Sequence, residues 1–217
     1  MRRLMVRKAK IEDLPSIACV HAKCFPDSYS TQLSKGEPFN SKNLLALFYK
    51  EFLDDNPELF VVVEDLNKSI VGFCMGYYME KDDQMNNFIK HNRARVFYKT
   101  LKLLLSGNKP TWKKLRDRFR RKTADDMWIV VNNKYDCIKN NERGDLLSVC
   151  VLPECQGRGY AQELMNSYLS EMKKMGRKLC LLSVKKDNIR ARKYYERNGF
   201  EIYRKRGNIG LTYMKLL

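Results

Sequence analysis

Ser148-Val149-Cys150-Val151-Leu152-Pro153-Glu154-Cys155-Gln156-Gly157-Arg158-Gly159-Tyr160-Ala161 reads as a strand, a sharp loop and the start of a helix. Leu146 to Leu152 is a nearly unbroken apolar run, which predicts a strand buried on both faces. Pro153 ends it, because proline cannot donate to a ladder. Gly157 and Gly159 allow a tight turn and a close approach to a ligand. From Tyr160 onward, Ala161, Leu164, Met165, Tyr168, Leu169 and Met172 fall on one helical stripe. Such a loop aims free backbone N–H groups at one point, at the positive end of a helix dipole, and so forms a seat for phosphate or pyrophosphate. Arg158 adds a permanent cation. The loop is not a dinucleotide fingerprint, since Gln162 stands where a third small residue belongs. Nor is it a triphosphate loop, since no Gly-Lys-Ser/Thr occurs.

The spacing Gln156-x-x-Gly159-x-Ala161 after a Val-x-Pro strand resembles the acyl-CoA signature of the GNAT superfamily, Gln/Arg-x-x-Gly-x-Gly/Ala. The resemblance continues downstream. A helix to about Met175 is capped by Gly176, and Lys178 to Val184 is the next apolar strand. Asn188-x-x-Ala191-x-x-Tyr194-Tyr195-x-x-x-Gly199-Phe200 then resembles the second motif of that superfamily. The match is tight over residues 145–206 and loose before them. It implies an α/β (α+β) fold with a central, mixed, mostly antiparallel sheet flanked by helices.

Bulk properties narrow the partners. At 217 residues, with 44% hydrophobic content, the chain suits a single domain spanning 1–217. No apolar run reaches membrane-spanning length, and Met1 to Leu4 opens no secretory segment. The seven cysteines are scattered, no Cys-x-x-Cys occurs and only His21 and His91 accompany them, so no metal site is expected and a cytoplasmic location is. Cys150 and Cys155 read as small buried fillers rather than nucleophiles. The formal charge of +17 calls for an anionic partner.

In chain order, Leu4 to Lys8 predicts a strand, and Asp13 and Pro15 open a helix that ends near Cys24. Phe25 to Leu33 is polar and turn-rich. Ser41 is the expected cap of a second helix with the stripe Leu44, Leu45, Leu47, Phe48 and Phe52. Leu59 to Val63 and Ile70 to Met79 predict strands joined by a hairpin at Asp65 to Lys68. Residues 80–143 then form an insertion between the third and fourth strands, mainly helical and basic. Lys81 to Lys122 holds fourteen basic residues against three acidic ones. One helix is expected around Phe88 to Leu105, broken at Gly107 to Pro110, and a shorter one around Trp112 to Phe119. This insertion is a solvated face packed on the domain, a cover for a phosphorylated or nucleotide-linked substrate, or a contact for an anionic membrane surface. No nucleic-acid motif is present, so nucleic acid is not an expected partner. A closing hairpin turns at Gly207-Asn208.

The resemblance implies acetyl-CoA as co-substrate and direct acetyl transfer to a primary amine. On that reading the backbone of Gln156, Gly157, Arg158, Gly159, Tyr160 and Ala161 holds the pyrophosphate. The strand carrying Val149 and Val151 holds the pantetheine arm, and Asn188 caps its helix or meets that arm. Tyr195 is the general acid for the leaving thiolate, with Tyr194 as its substitute if the register slips by one. The acceptor side is the loop with Phe25, Asp27, Ser28 and Tyr29, together with His21 and Gln32. Asp145 and Glu142 are the nearest carboxylates for an amine proton, and a surface role competes for both. His21-Ala22-Lys23-Cys24-Phe25-Pro26-Asp27-Ser28 resembles the opening segment of family members associated with bacterial surface-sugar synthesis, which implies a small-molecule amine, in the first place an amino-sugar nucleotide of surface-polysaccharide synthesis, as acceptor; a protein or ribosomal-peptide amine is the alternative. A non-catalytic acyl-CoA-binding module docked to an anionic surface is the reading from another class.

Overall fold

The computed structural model describes residues 5–78, 83–119, 127–207 and 209–217. Leu4, Lys81, Asp82, Arg120, Arg121, Lys122 and Asn208, all invoked above, lie outside them. The chain runs β1 (Met5–Lys8), α1 (Leu14–Cys24), α2 (Tyr29–Ser34), α3 (Leu44–Asp55), β2 (Phe60–Glu64) and β3 (Ile70–Tyr78). It continues α4 (Gln84–Leu105), α5 (Lys109–Phe119), β4 (Ile129–Val130), β5 (Arg143–Val151), α6 (Tyr160–Lys174), β6 (Leu179–Lys185), α7 (Ile189–Arg197), β7 (Glu201–Arg206) and β8 (Gly210–Leu216). The described strands form one eight-stranded sheet in the order β1-β2-β3-β5-β6-β8-β7-β4. All neighbours are antiparallel except β5 and β6, which is the mixed, mostly antiparallel sheet the motifs imply.

Helices cover both faces because the strands alternate apolar residues to each. Phe73 of β3 meets Tyr49 of α3 at a ring separation of 5.2 Å, and Tyr77 meets Phe52 at 6.2 Å, so α1 and α3 cover one face. Residues one step out of phase turn to the other face, where α6 buries Tyr160, Leu164, Met165, Tyr168 and Met172. Of the predicted stripe, Ala161 and Leu169 sit only at its margin. Arg7 of β1 bonds Asp13 at 2.6 and 2.9 Å and Glu64 at 2.8 Å, which ties the edge strand to α1 and β2.

Several local expectations change. The turn-rich stretch after Cys24 contains a helix, α2, capped by Ser28, whose hydroxyl accepts from the Thr31 N–H at 3.1 Å. The cap of α3 is Asn43 rather than Ser41: its side chain accepts from Leu45 at 3.0 Å, and the helix starts later because Asn40 to Asn43 first form a turn. The insertion is mainly helical, but it also adds β4, which pairs with β7 at the far edge of the sheet. The fourth strand in chain order is therefore this short edge strand, and the central strand is the fifth. Nor is β5 buried throughout, since Leu147 is 43% exposed.

Gly76 leaves room for a packed neighbour. A Cβ built there would lie 2.1 Å from both the Asp145 carbonyl oxygen and the Tyr168 hydroxyl, which themselves hydrogen-bond at 3.1 Å. Gly76→Ala must push α6 off the sheet. It is expected to destabilise the fold by about 3 kcal/mol in urea denaturation, the upper part of the overpacking range.

Candidate active site

The site begins with one extra residue. The β3–β5 register shifts between Met75 and Gly76, so that Met75 faces Ser148 while Gly76 faces Leu146, and Leu147 is left over. A bulge of this kind bends its strand and increases the local twist. β5 pairs with β6 only from Arg143–Leu179 to Leu146–Leu182. Beyond that point β5 stays with β3 as far as Val151, while β6 stays with β8 as far as Lys185. The two central strands therefore splay into a wedge, and the β6-facing edge of Leu147 to Val151, with Val149 and Val151, has no ladder partner among the described residues.

The loop at the wide end behaves as its glycines require. Gly157 and Gly159 have φ of 78° and 86°, the left-handed region, and Gly159 caps α6. Among the described residues, no backbone N–H from Gly157 to Ala161 has a partner. These five donors stand at the N-terminus of a 15-residue helix, where the dipole also favours an anion. The Gln156 side chain braces the loop: its Nε2 donates to the Val151 carbonyl at 2.9 Å, and its Oε1 accepts from Arg190 of α7 at 2.6 Å. Arg190, which no local motif marked, thereby joins Arg158 as a cation beside the seat. The unpaired donors of the loop, with Arg158 on it and Arg190 held against Gln156, suit a pyrophosphate. Asn188 is the cap of α7, accepting from Ala191 at 3.1 Å.

The two adjacent tyrosines of α7 separate by their hydroxyls. Tyr194 donates to the Ala161 carbonyl at 2.7 Å and so anchors α7 to α6. Tyr195 is buried with its ring 5.9 Å from Phe200 and 6.2 Å from Tyr213, and its hydroxyl makes no bond to another described residue. Burial pushes its pKa up, so the phenol holds its proton at neutral pH. Cys74 of β3 and Cys180 of β6, on either side of β5, are the nearby thiols.

The opposite face of β5 carries the other polar groups. Asp145 lies one residue before the end of the β5–β6 pairing. Burial pushes its carboxyl from 3.8 up to about 7, and the Arg204 guanidinium draws it partly back. His21 is buried, its Nδ1 2.5 Å from the Tyr49 hydroxyl and its Nε2 3.1 and 3.2 Å from the Ser28 and Ser30 hydroxyls. Burial lowers its pKa to about 4, so the ring is neutral. Ser28 is thus engaged with His21, and Tyr29 pairs with Thr100 of α4 at 2.6 Å; Phe25 and Asp27 are exposed on the same loop. Glu142 is held by Lys178 and lies before β5.

A splayed parallel pair thus lies at the centre of an otherwise antiparallel sheet, with a loop of unpaired N–H groups at its mouth. Residues 127–200 match the model of the Acetyltransferase (GNAT) family. No curated protein matches the chain at a significant level. Among solved structures, PH1933 from Pyrococcus horikoshii OT3 is similar with a TM-score of 0.59 at 17% identity, covering 99% of each chain. The PaiA N-acetyltransferase from Thermoplasma acidophilum, in complex with coenzyme A, gives 0.55 at 16% identity, covering 99% of each. Naa20 of Chaetomium thermophilum, in complex with a bisubstrate analogue, gives 0.52 at 16% identity over 98% of this chain and 86% of that one. The family match thus lies on the stretch that holds β5, the loop, α6, β6 and α7, and the solved structures share the fold of the whole chain.

The raised pKa of Asp145 makes a stability prediction with a definite sign. Its folded value lies above its unfolded one, so its contribution is complete below about 3.8 and is lost as pH rises through about 7. At about pH 8 the desolvated carboxylate therefore costs stability, and Asp145→Asn should stabilise the protein by about 2 kcal/mol, a figure discounted for partial exposure. The gain should vanish near pH 4. Urea denaturation of both proteins at the two pH values checks this, and the opposing titration of His21 cancels in the difference.

Proposed function

We propose that the protein transfers the acetyl group of acetyl-CoA to the primary amine of a small molecule, an amino-sugar nucleotide being the acceptor class we favour. The observation that carries the transfer is the unpartnered Tyr195 hydroxyl, held protonated on α7, whose N-terminal turn also sends Arg190 to the anion seat. Acetyl-CoA would supply an activated acyl thioester. The N–H groups of Gly157 to Ala161, with Arg158 and Arg190, hold its pyrophosphate. The open edge at Val149 and Val151 aligns the extended arm along β5. Asp145, with its raised affinity for a proton, takes one from the acceptor ammonium or amine. Tyr195 gives its proton to the departing sulfur: a thiol titrates near 8.5, so the phenol yields it only as charge develops there.

The net charge of +17 supports an anionic acceptor. α4 stands beside the acceptor loop through Tyr29–Thr100, and Asn108, in the turn after it, donates to Gln32 at 3.0 Å. A peptide amine is the second reading, favoured by the fold shared with Naa20. The cytoplasm, as the compartment of acetyl-CoA, is the setting that goes with either.

Acetyl-CoA at 100 times its dissociation constant should add about 2.7 kcal/mol of stability to the wild type, and Gly159→Glu should abolish the shift. Tyr195→Phe should keep that shift while acetyl transfer, followed by free-thiol release over amino-sugar nucleotides, peptides and polyamines, falls between about tenfold and a thousandfold. A loss under about twofold removes Tyr195 from its role.

A further inference from the structure

α4 is amphipathic in an unusual sense, because it has two apolar sides. One packs inward: Phe88 is buried, and Val96 and Leu103 join Leu33 and Leu44 of the neighbouring helices. The other meets solvent. Beyond a bend at Asn92, where φ is −116° and ψ is 17°, Phe97 is 69% exposed, Leu101 44% and Leu105 82%, at four-residue spacing along one side. Tyr98 lies next to them, and Trp112 of α5 continues the strip while its indole N–H donates to the Leu104 carbonyl at 2.9 Å. Met85 and Ile89, before the bend, are also exposed, with Arg93 standing between them and Phe97. A lone exposed leucine needs no explanation, but Phe97, Leu101 and Leu105 on one side of a helix do.

The charge around the row identifies what covers it. α4 contains no carboxylate. Arg95 and Lys99 are taken up by Glu37, at 3.1 Å each. Lys90, Arg93, Lys102, Lys109, Lys113 and Arg116 are all exposed along the two helices. A second copy of this chain would bring the same cations against these. A nucleic acid would match the charge but leave Phe97, Leu101 and Leu105 in water. An anionic bilayer matches both: phosphate headgroups take the cations, and the aromatic and aliphatic side chains enter the headgroup–acyl boundary. No described helix is long and apolar enough to cross a membrane, which agrees with a helix lying in the interface plane.

We infer that the outer face of α4, with Trp112 of α5, is a docking surface for an anionic lipid bilayer. The inference stands on exposure and charge and does not require the acetyl-transfer reading. It also places the membrane beside the acceptor loop, because the Tyr29–Thr100 and Asn108–Gln32 bonds join α4 and the turn after it to α2.

The test is sedimentation of the full chain with vesicles of phosphatidylcholine alone, and with about one third phosphatidylglycerol. Binding is expected only to the anionic vesicles and should weaken with salt. Phe97→Ser combined with Leu101→Ser should lower the partition coefficient about tenfold or more. The same change at Leu66, exposed on the β2–β3 hairpin, should leave it unchanged. Circular dichroism and thermal melting of each variant show that the fold survives. Three results would overturn the inference. One is absence of binding to anionic vesicles at low salt. Another is binding that the double variant leaves intact, which would make the contact charge alone and would fit a nucleic acid equally. The last is a wild-type dimer in light scattering that the double variant dissolves, which would assign the face to a second copy.

Discussion

Everything in the proposed chemistry depends on two neighbouring strands parting company. β5 and β6 share a ladder for only four residue pairs, and the extra residue at Leu147 bends β5 away with β3. Without the bulge β5 would continue along β6, and its backbone groups would be spent on the ladder. The wedge is held open from both sides, since β3 keeps β5 and β8 keeps β6. It is therefore a permanent feature of the sheet, paid for by an interrupted ladder rather than by a moving part.

Around that wedge the polar groups divide by face. The helix side, α6 and α7, supplies the anion seat, the bracing Gln156–Arg190 pair and the two tyrosines, one anchored and one unpartnered. The other side, α1 to α3, supplies Asp145, the neutral His21 and the hydroxyls bonded to it. A proton donor on one face and a proton acceptor on the other suit a reaction in which sulfur gains a proton while nitrogen loses one. The strand between them is where such a reaction would have to occur.

The sequence was most informative where chemistry is local. Gly157 and Gly159 must take left-handed angles, the helix around Tyr160–Met172 follows from its stripe, and the one around Tyr194–Tyr195 from the motif it resembles. What could not be read was set by distance. The 2.5 Å contact of His21 with Tyr49 joins residues on separate helices, and the bond of Arg190 to Gln156 crosses an intervening helix and strand. The raised pKa of Asp145 is a property of its surroundings rather than of its neighbours in sequence. The apolar run at Leu146–Leu152 suggested full burial because composition records hydrophobicity and not a splay. β4, inside the apolar stretch Met127 to Val131, was not legible as a strand, since its partner β7 lies across the sheet edge. Ser41 lost to Asn43 because both are good caps and only the preceding turn decides between them.

The contact over Gly76 also acts as a ruler. Tyr168 meets the Asp145 carbonyl at one point on α6, and Tyr160 begins that helix eight residues earlier, about 12 Å at 1.5 Å per residue. The distance from the anion seat to the floor of β5 is thus counted out in helical residues and locked by a single hydroxyl. Inserting or deleting one residue between Tyr160 and Tyr168 would turn the seat by about 100° relative to the sheet as well as shift it. The segment can change its side chains freely on the solvent side, but it cannot change its length.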